Sequence, residues 1–174
     1  MLTPSLRIIA VVAIVVGSVS SVQAMELSSP AFAPGQPIPV KYTCAGEDVS
    51  PPLSWRGVPP RTKSLALILS DPDSPGGRFV HWVVYNLPVK TNELSEDLNK
   101  TPLIAGGGQQ GQNSRHGYGY TGPCPPPGRV HHYHFDLYAV SEPITLEDGT
   151  GAQLRQALKG HVIGRAQLIG TFSR

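Results

Sequence analysis

Glycine and proline, 19 and 18 of the 174 residues, set the strongest limit on what this chain can build. Proline removes a backbone donor and fixes φ, and a glycine inside a helix costs about 1 kcal/mol relative to alanine. Long helices are therefore excluded and turns must be frequent. The two residues are scattered rather than set at every third position, which excludes a collagen-like triple helix. An apolar fraction of 40% is too high for a disordered chain. The length suits one domain that removes roughly two-thirds of its unfolded surface from water. Fourteen Lys and Arg against 12 Asp and Glu leave a net charge of +2. That is far short of the charge needed to neutralise a run of phosphates, so no nucleic-acid partner is expected.

Strand-like runs lie between the Gly and Pro punctuation. Ile38 to Cys44, Ser64 to Ser70, Phe79 to Leu87, His131 to Val140 and His161 to Phe172 are rich in β-branched and aromatic residues. Ser64 to Ser70 is almost wholly apolar, as a central strand covered on both faces would be. Ser50-Pro51-Pro52, Val58-Pro59-Pro60 and Asp71-Pro72-Asp73 read as turns. One segment reads as helix: Thr150-x-x-Gln153 is a capping-box pattern, Leu154 and Leu158 share a face, and Gly160 ends it. No repeat and no linker divides the chain. The expectation is one mostly β domain with a single short helix near the C-terminus.

The first 24 residues read as an address rather than as part of that domain. Arg7 precedes the apolar run Ile8 to Val16, and Val22-Gln23-Ala24 is a small-x-small cleavage pattern. The apolar run is shorter than the roughly 20 residues of a membrane span. A secretory signal peptide cleaved after Ala24 is expected, with the domain running from Met25 to Arg174 in the periplasm or outside the cell; an uncleaved anchor is the lesser reading. Outside the cytoplasm, Cys44 and Cys124 can form one disulfide. The other reading is two separate buried thiols.

Ala105 to Gly128 is the irregular stretch, with eight Gly and four Pro in 24 residues. Neither helix nor central strand fits it, and it leads straight into a His-rich strand, which favours a functional loop. Within it, Gly117-Tyr118-Gly119-Tyr120-Thr121-Gly122 matches G-x-G-x-x-G. A dinucleotide fingerprint needs a helix to follow, and here Pro123-Cys124-Pro125-Pro126-Pro127 follows instead. The nucleotide reading is rejected, and no cofactor is expected.

Two clusters carry chemistry. Asp71-Pro72-Asp73 ends an apolar strand and His81 sits inside the next. A carboxylate accepting from an imidazole N–H would fix its tautomer and favour the charged ring, as an anion site requires. The alternative is an Asp-capped turn beside a half-exposed His. In His131-His132-Tyr133-His134-Phe135, strand alternation puts His131, Tyr133 and Phe135 on one face, and His132 and His134 on the other. No third ligand is spaced to complete a zinc site with His132 and His134, so no metal is expected. Neither G-x-S-x-G nor H-E-x-x-H occurs.

Taken together these segments resemble the phosphatidylethanolamine-binding protein family, in its bacterial Raf kinase inhibitor-like branch. Thr43-Cys44-Ala45-Gly46 with Ser50 to Trp55 carries the first block. Asp71 to Pro75 with His81-Trp82 carries the second, and Gly122 to Pro126 through Gly128 to His131-His132-Tyr133 the third. The resemblance implies a β-sandwich-like fold with a small anion pocket at one end. It places Asp71, Asp73, His81, His131 and Tyr133 at that pocket, with Pro126 and the backbone near Cys124 on the rim. His132 stands where the family often has Arg. The short Gly76-Gly77-Arg78 connection resembles the compact bacterial form, so cytosolic kinase regulation is not carried over.

The leading expectation is a non-catalytic exported protein that binds a small anion or a phosphate-bearing headgroup. His81 and His131 would donate hydrogen bonds, with the Tyr133 hydroxyl beside them. Asp71 and Asp73 would orient the imidazoles or accept from an ammonium. The alternative is a protein–protein inhibitor or signalling modulator with a protein target. A hydrolase using His81 or His131 as base ranks last. No basic amphipathic helix marks membrane contact, and the sequence leaves the oligomeric state open.

Overall fold

The computed structural model describes residues 24–147 and 149–174. The expected leader, apart from Ala24, lies outside the described residues. Strands form in the order β1 (Glu26–Ser28), β2 (Leu53–Arg56), β3 (Ser64–Asp71), β4 (Phe79–Leu87), β5 (Glu93–Leu94), β6 (Gln109–Gln110), β7 (His131–Val140) and β8 (Val162–Phe172). Helix α1 (Gly151–Ala157) precedes β8. The strands make a three-stranded sheet, β1-β2-β5, and a five-stranded sheet, β6-β4-β3-β7-β8. All their pairings are antiparallel.

Every residue of β3 is buried, because its two faces meet two different layers. Leu65, Leu67 and Leu69 point between the sheets and pack with Trp82, Phe135, Leu137 and, from the small sheet, Leu53 and Trp55. Ala66 and Ile68 point the other way, to Val83, Leu154 and Leu158 under α1. Each fully buried Leu contributes roughly 1.5–3 kcal/mol, which fixes the strand at the centre of the large sheet. The mostly β, sandwich-like architecture with one short late helix is as the sequence implies. The capping box forms as well: the Gln153 amide donates to Thr150 Oγ1, and the Thr150 amide donates to the Gln153 side chain. Gly160 takes φ +80° just past the helix.

Ile38 to Cys44 is not a strand. Pro37 and Pro39 lack the donors that a ladder needs, so only a short run pairs, as a parallel bridge of Pro37 to Thr171 on β8. The chain then turns through a 3₁₀ turn at Val40–Tyr42, where Tyr42 N donates to Pro39 O and Thr43 N to Val40 O.

The turn brings Cys44 to Cys124, and the two form a disulfide across a sequence separation of 80. Around it the Gly- and Pro-rich stretch is held by polar contacts to distant chain. Tyr120 Oη donates to Tyr42 O at 2.6 Å, Gly122 N to Asp48 Oδ1 at 2.6 Å, and Cys44 N to Pro123 O at 3.1 Å. Its one strand is the two-residue edge β6, where Gln110 Oε1 accepts from Trp82 Nε1. No helix starts directly after Gly122, where Pro123 to Val130 is irregular.

Candidate functional site

Three strand ends meet at one end of the large sheet: the end of β3 at Asp71 and the beginnings of β4 and β7. The β4 backbone is irregular there. Leu69 pairs with Trp82 but Ser70 pairs with Val80, so His81 is an extra residue, a β-bulge. Val80 and Val83 both pack toward α1 and Trp82 packs between the sheets. The bulge frees His81 from strict alternation and lets its ring reach the end of the inter-sheet space, stacked edge-on against Tyr133 with centroids 5.3 Å apart.

The imidazoles have different partners from those the sequence suggests. Asp71 Oδ2 is 2.7 Å from Nδ1 of His131, not of His81, and both side chains are buried. Asp71 Oδ1 accepts from the Asp73 amide at 2.8 Å, which closes the turn over Pro72. His81 is itself buried rather than half-exposed. Its Nδ1 lies 2.7 Å from the Thr121 carbonyl, which can only accept, so Nδ1 carries the proton and Nε2 is the accepting nitrogen of the neutral ring. Burial pushes the His81 pKa down to about 4, against the opposing pull of the Thr121 carbonyl and Asp71. The expectation that a carboxylate would tip this ring toward the charged form is thus reversed, because desolvation outweighs a charge that is already paired with His131.

A cavity of about 60 Å³ opens between these groups. Of the residues singled out from the sequence, Asp71, His81, His131, Cys124 and Pro126 line it. Asp73 does not: its Oδ2 accepts from both the amide and Nδ1 of His132 at 2.8 Å, bonds that hold its carboxyl below the usual range. Tyr133 stands behind His81, fully buried, and among the described residues its hydroxyl has no hydrogen-bond partner. Burial raises its pKa.

Ser74, Phe79, Pro125 and Arg115 also line the cavity and were not foreseen. Arg115 matters most, since it brings a permanent positive charge, with its guanidinium 6.0 Å from the centre of the Phe79 ring. Asn113 sets its place: the Asn113 side chain accepts from the Arg115 and Gly117 amides and donates to the Gly119 carbonyl. The sequence does carry a signal, because Arg115 is the only Lys or Arg between Ala105 and Gly128.

The family model for phosphatidylethanolamine-binding proteins matches residues 28–173. The chain belongs to the phosphatidylethanolamine-binding protein family. Among curated relatives, a UPF0098 protein of Methanothermobacter thermautotrophicus is 46% identical over 86% of this chain and 99% of its own. A Mycobacterium tuberculosis protein with the lipoprotein name LppC is 41% identical over 85% of this chain and 72% of its own. Two solved family structures are similar throughout the domain. The Chlamydia trachomatis homologue CT736 has a TM-score of 0.78 at 43% identity, covering 87% of this chain and 98% of that one. Escherichia coli YbcL has a TM-score of 0.81 at 31% identity, covering 87% and 99%.

Proposed function

We propose that this phosphatidylethanolamine-binding protein family member is an exported, non-catalytic binding protein for a small oxyanion or a phosphate-bearing headgroup. The observation that carries the reading is the cavity itself, where His81, His131 and Arg115 converge behind a rim of Cys124, Pro125 and Pro126. Its size supports a compact ligand. About 60 Å³ is far below the several hundred Å³ of pockets that enclose drug-sized molecules, so a headgroup enters and a lipid tail stays outside. Arg115 supplies the charge, and guanidinium-to-oxyanion hydrogen bonds are of the strong, charge-assisted kind. Asp71 is occupied on both oxygens, which favours its role as the group that orients His131 over one that accepts from a ligand ammonium.

The binding reading is favoured over general-base chemistry by His81. A ring with a pKa of about 4 is a weak base near neutral pH, whereas an efficient base is poised near the working pH. An anion beside it would instead raise its proton affinity, so ligand and proton enter together. Export is supported by the disulfide and by the lipoprotein name of one relative.

The test is a calorimetric titration with phosphate and then phosphoethanolamine, run in buffers of different ionisation enthalpy. Saturable binding with net proton uptake is expected near pH 6. His81→Ala should weaken it by about 1.5–3 kcal/mol, the scale of a lost hydrogen bond to a charged group. Unchanged affinity in His81→Ala would overturn the assignment.

A further inference from the structure

A separate cavity of about 140 Å³ opens beside the edge strand β6, and Tyr85, Gln109, Tyr118 and Glu147 line it. Tyr85 on β4 pairs with Gln109 on β6, so both side chains stand on the same side of the sheet. Tyr85 packs with Val83 and Ile144 in the cluster under α1 and forms the buried wall. Two further segments close over it. An antiparallel bridge of Gln112 to Tyr118 brings in the Tyr118 ring, which is 39% exposed. The Gln112 amide also donates to the Gly149 carbonyl at 3.1 Å. Gly149 lies so close that a Cβ there would be 3.1 Å from Gly111 Cα and 3.4 Å from Tyr85 Oη. Glu147, two residues earlier and exposed, stands at the rim. Along β4, Tyr85 is about 20 Å from Phe79 of the His81 cavity.

Four polar groups meet in this cavity with their bonding capacity unspent. Among the described residues, the Tyr85 and Tyr118 hydroxyls, the Gln109 side chain and the Glu147 carboxylate have no hydrogen-bond or ion-pair partner. Gln110 beside them is fully engaged, accepting from Trp82 and donating to the Asn99 and Thr101 carbonyls. Glu147 is the one charged side chain among the described residues of the lining, so the cavity is negative and turns anions away. The two phenol rings add to that character, because a ring face carries a negative quadrupole and attracts a cation within about 6 Å. Size sets the other limit. The cavity is well below the several hundred Å³ that enclose a drug-sized molecule, so it takes only a compact head.

We propose that Tyr85, Tyr118, Gln109 and Glu147 form a site for a small organic cation, an alkylammonium or quaternary ammonium head. Glu147 supplies the countercharge and the two rings supply the wall. The Gln109 carbonyl and the hydroxyls accept from an N–H where the head carries one. The site stands independently of the oxyanion reading, since none of its residues lines the His81 cavity.

The test is an NMR titration of the protein with tetramethylammonium chloride, at ionic strength held constant with sodium chloride. Saturable shifts at millimolar ligand are expected at the Tyr85, Gln109, Tyr118 and Gly149 amides and at the Gln109 side-chain NH₂. Glu147→Gln keeps the shape and removes the charge, and should weaken binding severalfold. Tyr118→Leu should do the same by removing a ring, while Tyr118→Phe keeps the ring and should bind as the parent does. Both positions are exposed, so these variants should melt with the parent protein. A neutral molecule of the same shape, tert-butanol, should give no saturable shifts at these amides. His81→Ala should leave the whole set in place, which separates this site from the oxyanion cavity. Absence of saturable shifts would overturn the proposal, as would equal binding of tert-butanol or affinity unchanged in Glu147→Gln.

Discussion

His81 and His131 enter one cavity with opposite electrostatic histories. His131 has a carboxylate at 2.7 Å, whereas the His81 Nδ1 faces the Thr121 carbonyl, and burial, outweighing the pull of that carbonyl and of Asp71, holds the ring near pKa 4. An unfolded histidine titrates near 6.5, so between about 4 and 6.5 the unfolded state binds a proton that the folded state refuses. Stability from this group therefore rises with pH through that window and falls as pH drops, by up to about 3 kcal/mol at pH 4 relative to pH 7. Urea melts of the protein and of His81→Gln at pH 7, 5.5 and 4.5 should show a flatter profile in the variant; parallel profiles would refute the argument. Tyr133 predicts the opposite kind of result. Among the described residues its buried hydroxyl has no hydrogen-bond partner, so Tyr133→Phe should leave stability unchanged or raise it by about 1 kcal/mol, measured the same way. The sequence tells these residues apart unevenly. Strand alternation correctly puts His131 and Tyr133 on the inner face of β7. The same rule fails at His81, because a one-residue bulge leaves no mark in the residue pattern of β4.

At the scale of elements, the pocket wall depends on how closely the Pro-rich loop approaches the turn at Val40–Tyr42. Gly122 sits at that approach. A Cβ there would lie 2.6 Å from the Tyr42 carbonyl oxygen and 2.8 Å from Thr43 Cα, both backbone atoms that have little room to give. Gly122→Ala is expected to destabilise the fold by about 1–3 kcal/mol, the usual cost of overpacking, and to disturb amide shifts from Tyr42 to Cys124. An unaltered melting curve would show the loop to be looser than this packing requires. Helix α1 gives a smaller effect: Thr150→Ala removes the cap that bonds the Gln153 amide and should cost about 1 kcal/mol in a thermal melt. That helix was legible because its cap and stop are local residue signals. Ile38 to Cys44 reads as a strand because of its β-branched and aromatic residues, while Pro37 and Pro39 decide the outcome by removing ladder donors. The loop's contacts, such as Tyr120 to Tyr42, are long-range and have no local signature.

For the whole molecule, the sequence resemblance reached the fold and most of the cavity wall, but Arg115 was passed over and the orientation of Asp73 misjudged. Both depend on how a turn is closed. What the covalent frame adds is a tie between two distant segments. Joining Cys44 to Cys124 restricts the unfolded chain over a separation of 80 residues, and the expected stabilisation is about 4–5 kcal/mol on a chain-entropy argument. The paired substitution Cys44→Ser with Cys124→Ser should lose that amount in urea melts. It should also weaken oxyanion binding, because Cys124 lines the cavity. The bond persists in an oxidising compartment, so it and the expected N-terminal leader make one joint prediction. Expressed with its own first 24 residues in a bacterial host, the protein should be recovered outside the cytoplasm. Its N-terminus should be Met25, and its mass should lack two hydrogens. The same chain retained inside the cell should carry both thiols reduced and bind phosphate more weakly. A cytoplasmic, reduced product with undiminished binding would show that neither export nor the bond belongs to how this protein works.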